Sequence, residues 1–344
     1  MTPASGSAEA PVHSISVVVP VYGGERTLDA VVREVLPLCE VFETPAGHLA
    51  AVSEILLVHD RGPDASDEVI RRLAGELTVV RPVWLSRNFG QHAATLAGMA
   101  SSGGDWVVTM DEDGQHDPAF VPAMLDVAMA GRADVVYARP TTPAPHGWFR
   151  NVTSRLSKRV IDLLVGGRTA ADFHSYRLVL GELARSVAAY AGAGVYLDVA
   201  LSWVAGTVAT CPVELRAEGE RRSGYSTRTL LSHFWRMVLT SGTRLLRYVS
   251  IVGAVFAVVG LLVALVLVVT RVLGLVVIPG WTSTMVVVLL STGVILFALG
   301  VVAEYLGVAV NMAMGKPLYL IVQDPTTGPL GRLPARRQAD RASR

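Results

Sequence analysis

Charge is missing over two long stretches of this chain. No charged side chain occurs from Tyr248 to Thr270, and after Arg271 the next is Glu304. Cysteine is nearly absent too. Cys39 and Cys211 stand far apart in apolar contexts, which excludes a disulfide framework and a paired zinc spacing, and both read as reduced packing residues. No Gly-x-Gly-x-x-Gly or Gly-x-x-x-x-Gly-Lys loop is present, so neither a dinucleotide fold nor a phosphate-loop ATPase is supported. No face is rich in both lysine and aromatics, so nucleic acid is not an expected partner. Residues 1–13 lack the basic start and apolar run of a signal peptide; they are expected to be disordered, with the domain after them not exported.

What is present divides the chain in two. It has 344 residues, 51% hydrophobic and 17% charged, and the hydrophobic excess lies after Tyr248. A core of about 200 residues therefore leaves length for something else. The uncharged stretches predict transmembrane helices over 248–270 and 283–304, each about 20 residues and enough to cross a bilayer. Pro279 and Gly280 place an external hairpin at 271–282, with Trp281 at the interface. Arg228, Arg236, Arg244 and Arg247 precede the first helix and Lys316, Arg332, Arg336 and Arg337 follow the second, whereas the hairpin holds only Arg271. That asymmetry predicts an integral protein of the inner (cell) membrane with both termini and the large domain cytoplasmic. Within 225–247, Leu230, Leu231, Phe234, Trp235, Val238 and Leu239 recur at helical spacing among arginines. This predicts an amphipathic helix on the membrane surface, packing against the soluble domain being the alternative. In the cytoplasmic tail, 305–344, the stretch 318–322 reads as a terminal strand open to a neighbouring subunit.

Between 14 and 224 short apolar runs alternate with helical patterns, the signature of an α/β domain with a mainly parallel sheet flanked by helices. Strands are predicted over 15–19, 54–59, 79–85, 106–110 and 135–138, and helices over 25–41, 64–77, 91–101 and 118–130. Ligands of such sheets bind beyond the carboxyl ends of the strands. Those ends carry Pro20, Tyr22 and Glu25; His59 and Asp60; Ser86, Arg87 and Asn88; and Asp111, Glu112 and Asp113. In VVTMDEDGQHDP (107–118), alternation along an extended chain would put Asp111 and Asp113 on one side and Glu112 on the other. Hard oxygen ligands at a strand end suit Mg²⁺ or Mn²⁺, which keeps positions for water and a diphosphate. An Asp-x-Asp alone equally describes a solvated turn.

The longer motifs are more specific. VVVPVYGGERTL, EILLVHDRGPDAS, LSRNFGQHAATLAGM, TMDEDGQHDP, ADFHSYRL, ERRSGYS, AEYLG and GKPLYLIVQD span Ser14 to Asp324. Together they resemble glycosyltransferase family 2, in particular its polyprenyl-phosphate glycosyltransferases with two membrane helices, whose catalytic domain is of the GT-A type. The Gln-x-x-Arg-Trp motif usual in processive polysaccharide synthases is absent. By that resemblance Pro20, Tyr22 and Glu25 line base and ribose, Asp60 accepts from the base, and Asp111 faces ribose and diphosphate. Asp113, with Gln115, would hold the metal. Asn88 and Gln91, beside Arg87, would support the nucleotide pocket, Asn88 reading equally as a helix N-cap. Asp172 would touch donor sugar or acceptor, while Asp198 reads as a solvated helix residue and His92, His116 and His174 as polar lining. Two departures stand out. The family usually has Asp-Asp-Gly-Ser where this chain has His59, Asp60, Arg61 and Gly62, and lysine where it has Thr227.

A lipid monophosphate already carries close to two negative charges at neutral pH, so it needs no general base. It does need cations to approach a diphosphate of like sign. Arg221, with Ser226 and with Arg222 or Arg228, suits that role, contact with anionic lipid headgroups being the alternative. The resemblance implies inverting single displacement from a UDP- or GDP-sugar to polyprenyl phosphate at the lipid bilayer, by a homo-oligomer. A nucleotide-binding membrane scaffold, motivated by His59 and Arg61, and a transferase with a glycolipid acceptor are the competing readings.

Overall fold

The computed structural model describes residues 11–141, 173–192, 195–216, 244–273, 280–315 and 317–328. They form two compact units: one holds the sheet together with the residues from Pro317 on, and the other the two long apolar helices.

In the first unit β1 (His13–Val21), β3 (Leu49–His59), β4 (Val80–Leu85) and β5 (Trp106–Thr109) run parallel. With β2 (Phe42–Glu43), β6 (Val135–Pro140), β7 (Arg177–Leu180), β8 (Val208–Val213) and β9 (Ile321–Val322) they make a nine-stranded sheet of order β8-β6-β7-β5-β1-β3-β4-β9, with β2 paired to β3. Helices cover both faces. Ile15, Val17 and Val19 pack with Leu28 and Val32 of α1 (Leu28–Val35), Ile70 and Leu73 of α2 (Ser66–Glu76), and Met124 and Leu125 of α4 (Val121–Gly131). Val18, Leu56 and Val58 meet Leu96 and Met99 of α3 (Gln91–Ser101), Val187 of α5 (Gly181–Tyr190) and Leu201 of α6 (Leu197–Val204). Burial on both faces is why the central strands read as unbroken Val/Ile/Leu runs. Helix α3 lies so close to β1 that a Cβ at Gly98 would sit 2.3 Å from Val18 Cγ1.

The sheet departs from the sequence expectation in four places. The helix predicted over 25–41 ends at Val35, because Pro37 has no N–H for a continuing α-helix; a 3₁₀ turn, Leu36–Cys39, leads instead into β2. Strand β3 begins five residues earlier than predicted, at Leu49 rather than Glu54 (54 − 49 = 5), where it pairs with β2. Strands β7 and β8 were not anticipated; β7 runs antiparallel to both β5 and β6. Finally, the tail strand does not need a neighbouring subunit. Ile321 and Val322 pair antiparallel with Leu85 and Trp84 of the same chain, and Asp324 clamps Arg71 at 2.8 Å, because β4 otherwise leaves an open edge.

In the second unit α7 (Arg244–Val272) and α8 (Trp281–Ala313) contact each other and are long and apolar enough to cross a membrane. The first candidate span is Tyr248–Thr270. The second is Leu290–Asn311, which takes in Glu304. The amphipathic segment predicted for 225–247 lies outside the described residues up to 243.

Candidate active site

Sheet order places the site. The chain starts at β1, moves outward through β3 and β4, and returns on the other side of β1 to form β5. Connections therefore diverge between β1 and β5, which opens a crevice beyond their carboxyl ends. The predicted residue Pro20 lies within β1, one residue before its end, and Tyr22, Glu25, Asp60, Asn88, Gln91, Asp111, Asp113 and Gln115 follow the ends of these four adjacent strands.

Strand β5 stops at Thr109, so Asp111 to Gly114 form a turn, and strand alternation is not what aims the carboxylates. Hydrogen bonds aim them. Gln91 Nε2, on the first residue of α3, donates to Asp111 Oδ1 at 2.6 Å, and Ser175 Oγ donates to Asp111 Oδ2 at 2.7 Å. The Asp111 N–H donates to His116 Nδ1 at 2.9 Å, which requires that nitrogen to be unprotonated. Asp113 is exposed and accepts from the Gln115 N–H at 3.0 Å. Glu112 has partners of its own. Its carboxylate accepts from the N–H groups of Tyr22 and Gly23, each at 2.9 Å, tying the loop after β1 to the turn after β5 across the crevice.

Asp60 is 3% exposed and accepts from the N–H groups of Phe89 and Gly90, each at 2.7 Å. Burial pushes its carboxyl up, while those two N–H groups and Arg87 pull it down. Asp60 thus fixes the entry to α3. The helix is capped by Gly90, at φ 95°, so Asn88 is an exposed loop residue rather than the N-cap. Two bonds join the loop after β1 to the start of α2: the Glu25 N–H donates to Asp64 Oδ2 at 3.0 Å and the Ala65 N–H to Glu25 Oε2 at 3.4 Å.

The residues of the departure at 59–62 are tightly held. Arg61 sits at φ 53°, the left-handed region that favours glycine, and its Nε donates to the Leu85 carbonyl at 3.1 Å. Gly62 lies against the backbone of Tyr22, where a Cβ would fall 1.6 Å from the carbonyl oxygen. The His59 ring is buried against Trp84, with centroids 5.3 Å apart.

A buried layer underlies the acidic turn. His116 stacks on Tyr176 at 4.9 Å and lies 5.4 Å from His174. Burial depresses both imidazoles to about 4. Asp198, expected to be solvated, is instead 3% exposed, ion-paired with Arg177 and bonded to Tyr137 Oη at 3.0 Å. It was misread because its burial depends on α6 packing over β6 and β7. Ser175, Arg177 and Glu112 were missed for the same reason, their partners lying 20 or more residues away. Cys39 and Cys211 are free thiols, as expected. Asp172, Arg221, Arg222, Ser226 and Arg228 lie outside the described residues, as does Thr227.

His174 gives this layer a pH signature. Its Nδ1 accepts from the Tyr176 N–H at 3.1 Å, so the folded state holds it neutral. With a folded value of about 4 against an ordinary 6.5, the unfolded chain takes up the proton first as pH falls. Its contribution, on the order of 3 kcal/mol, is present above about pH 6.5 and lost as pH falls toward 4. His174→Asn, which keeps an acceptor for the Tyr176 N–H, is expected to flatten the fall of Tm between pH 7 and 4.5; an unchanged slope would rule this origin out.

For a metal the donors here are hard oxygens: the Asp111 and Asp113 carboxylates, with the Gln115 amide two residues beyond Asp113. Among the described residues no group of three or more His, Cys, Asp or Glu side chains comes together as a metal cage. That donor set fits Mg²⁺ or Mn²⁺, which take few protein ligands and complete their shell with water and substrate phosphate, and does not fit zinc.

The model of glycosyl transferase family 2 matches residues 16–185. An undecaprenyl-phosphate 4-deoxy-4-formamido-L-arabinose transferase from Pseudomonas paraeruginosa is 32% identical over 321 residues, covering 90% of each chain. One of the same name from Aeromonas hydrophila is 30% identical over 322 residues, covering 90% of this chain and 93% of the relative. Among solved structures, glucosyl-3-phosphoglycerate synthase from Mycobacterium tuberculosis, in complex with Mn²⁺, UDP and glucosyl-3-phosphoglycerate, aligns with a TM-score of 0.47 at 20% identity, covering 66% of this chain and 78% of that chain. A mixed α/β sheet, mostly parallel, with carboxylates on the turn beside its switch point is a glycosyltransferase domain of the GT-A type. The chain belongs to glycosyl transferase family 2.

Proposed function

We propose that this protein transfers a sugar from a nucleoside-diphosphate donor to the phosphate of a polyprenyl lipid at the cytoplasmic face of the inner membrane, with inversion and with Mg²⁺ or Mn²⁺. The observation that carries the proposal is the way the acidic turn is joined on both sides. Glu112 ties it to the nucleotide loop after β1, and on the other side Arg216 ties it to the segment leading to Arg221. The Arg216 N–H donates to the Gln115 carbonyl at 3.1 Å, and its guanidinium meets Asp117 Oδ2 at 2.9 Å.

In this reading Pro20, Tyr22, Glu25 and Asp60, with Asn88 and Gln91, form the base and ribose pocket. Asp111 orients ribose and diphosphate, and Asp113 with Gln115 holds the cation. When bound, that cation supplies neutralisation of the charge that grows on the departing diphosphate. Arg221, Arg222, Ser226 and Arg228 receive the lipid phosphate, whose own charge makes a general base unnecessary, and Asp172 contacts the sugar or the acceptor. Apolar α7 and α8 keep the domain at the bilayer where that acceptor resides. The names of the relatives favour undecaprenyl phosphate as the lipid, and the homo-oligomer expected from the sequence is compatible with a tail strand held in cis.

A nucleotide-binding scaffold is the competing reading, raised by His59 and Arg61. Against it stands the retained loop, with Arg61 in the left-handed conformation and Asp60 still holding α3. The test uses purified full-length protein with Mn²⁺, undecaprenyl phosphate and a panel of UDP- and GDP-sugars, including the nucleotide-linked 4-deoxy-4-formamido-L-arabinose of the relatives' name. Formation of one polyprenyl-phosphate sugar is expected. Nucleotide binding without any transfer across the panel would favour the scaffold.

A further inference from the structure

Arg177 and Asp198 are each 3% exposed and face each other as an ion pair inside the layer beneath the acidic turn. Removing two charges from water costs several kcal/mol per ion, and an apolar pair of similar volume is often as stable or more so. A stability role alone therefore gives little reason for this pair. Its connections point upward to the site. Arg177 Nε donates to Thr109 Oγ1 at 3.2 Å and to the Ser175 carbonyl at 3.4 Å, and Thr109 Oγ1 donates to that same carbonyl at 2.5 Å. Tyr137 Oη donates at 3.0 Å to Asp198 Oδ1, the same oxygen that meets Arg177, and its ring lies 5.8 Å from the guanidinium. Ser175, gripped in this way through its main chain, uses its hydroxyl on Asp111 Oδ2 at 2.7 Å.

We propose that the Arg177–Asp198 pair is the positioning device for Asp111: by clamping Thr109 and the main chain of Ser175 it sets the hydroxyl that turns the Asp111 carboxylate toward the donor diphosphate. The proposal rests on the nucleotide-sugar reading above and adds residues to it. Arg177 and Asp198 touch no substrate. They act through Ser175, and they leave the far carboxylate oxygen of Asp111 to Gln91. Asp198 serves as counterion to Arg177, not as a proton acceptor in the reaction.

The discriminating variant is Arg177→Met with Asp198→Leu, which removes both charges together and so avoids an unpaired buried ion. Binding of UDP and of GDP in the presence of Mn²⁺ is measured by calorimetry on the full chain in detergent, beside Tm and the Mn²⁺ and acceptor dependence of transfer. The expected result is an unchanged or higher Tm, an unchanged acceptor KM, and at least tenfold weaker Mn²⁺-dependent nucleotide binding. Ser175→Ala, which leaves the pair intact, is expected to reproduce the weaker binding, and Ser175→Thr to restore it in part. If the double variant folds and binds nucleotide like the unaltered chain, the pair is packing only and the proposal falls. Should the double variant fold poorly, Ser175→Ala decides, since nucleotide affinity unchanged by it would overturn the proposal equally. Failure of the unaltered chain to bind either nucleotide would overturn the transferase reading, and this inference with it.

Discussion

Asp111→Asn and Asp113→Asn are each expected to lower sugar transfer by about a thousandfold while leaving the protein folded. At Asp111 the reason is geometric as well as electrostatic. Both carboxylate oxygens accept hydrogen bonds, from Gln91 at 2.6 Å and Ser175 at 2.7 Å. An asparagine would turn an N–H₂ toward one of those donors, so the side chain would rotate as well as lose its charge. Asp113 is exposed on the turn and held only through the Gln115 N–H among the bonds described, so its amide variant should keep the turn and lose the cation. Loss of roughly 4 kcal/mol of charge stabilisation corresponds to about three orders of magnitude in rate. The measurement is kcat with saturating Mn²⁺ and donor, with Tm as the control. A loss below tenfold at both positions would sink the metal-dependent reading of the turn.

Arg221→Ala is expected to raise the acceptor KM about a hundredfold or more, leaving donor KM and slow donor hydrolysis in place. Truncating one partner of a buried, hydrogen-bonded charge pair costs roughly 2–5 kcal/mol, and a lipid monophosphate of nearly two charges is such a partner. The split between acceptor and donor is the informative part. Arg216 is anchored to Gln115 and Asp117, and Arg221 follows it five residues later in the chain. In the proposed reading Arg221 serves the acceptor phosphate and takes no part in the donor pocket. If transfer and donor hydrolysis fall together, Arg221 belongs to the donor side or to the fold, and the acceptor role is lost.

How much was legible beforehand follows from the range of each interaction. Strands β1, β3, β4 and β5 could be read because a strand buried on both faces must be apolar throughout, whatever lies beside it. The edge on which Asp60, Gln91, Asp111 and Asp113 assemble could be read for a similar reason, since parallel connections bring the carboxyl ends of strands to one side. Residues whose role depends on a distant partner could not. Glu112 was expected to point away from its neighbours, but nothing local says that it meets the amides of Tyr22 and Gly23. Asp198 sits in LDVALSWV, where the pattern of a half-buried helix gives no sign of Arg177, 21 residues earlier, beneath it.

The amino-acid sequence by itself determined the division into a catalytic α/β portion and two uncharged helices, and which carboxylates stand at strand ends. Hydrophobic period and the absence of charge are local quantities. Only the tertiary structure decided what each carboxylate does there: Asp111 shared between Gln91 and Ser175, Glu112 bridging the crevice, Asp60 holding α3, and Asp198 neutralising a buried arginine. A carboxylate's role is set by the donors that face it, and those donors come from elements brought together when the sheet closes around β1.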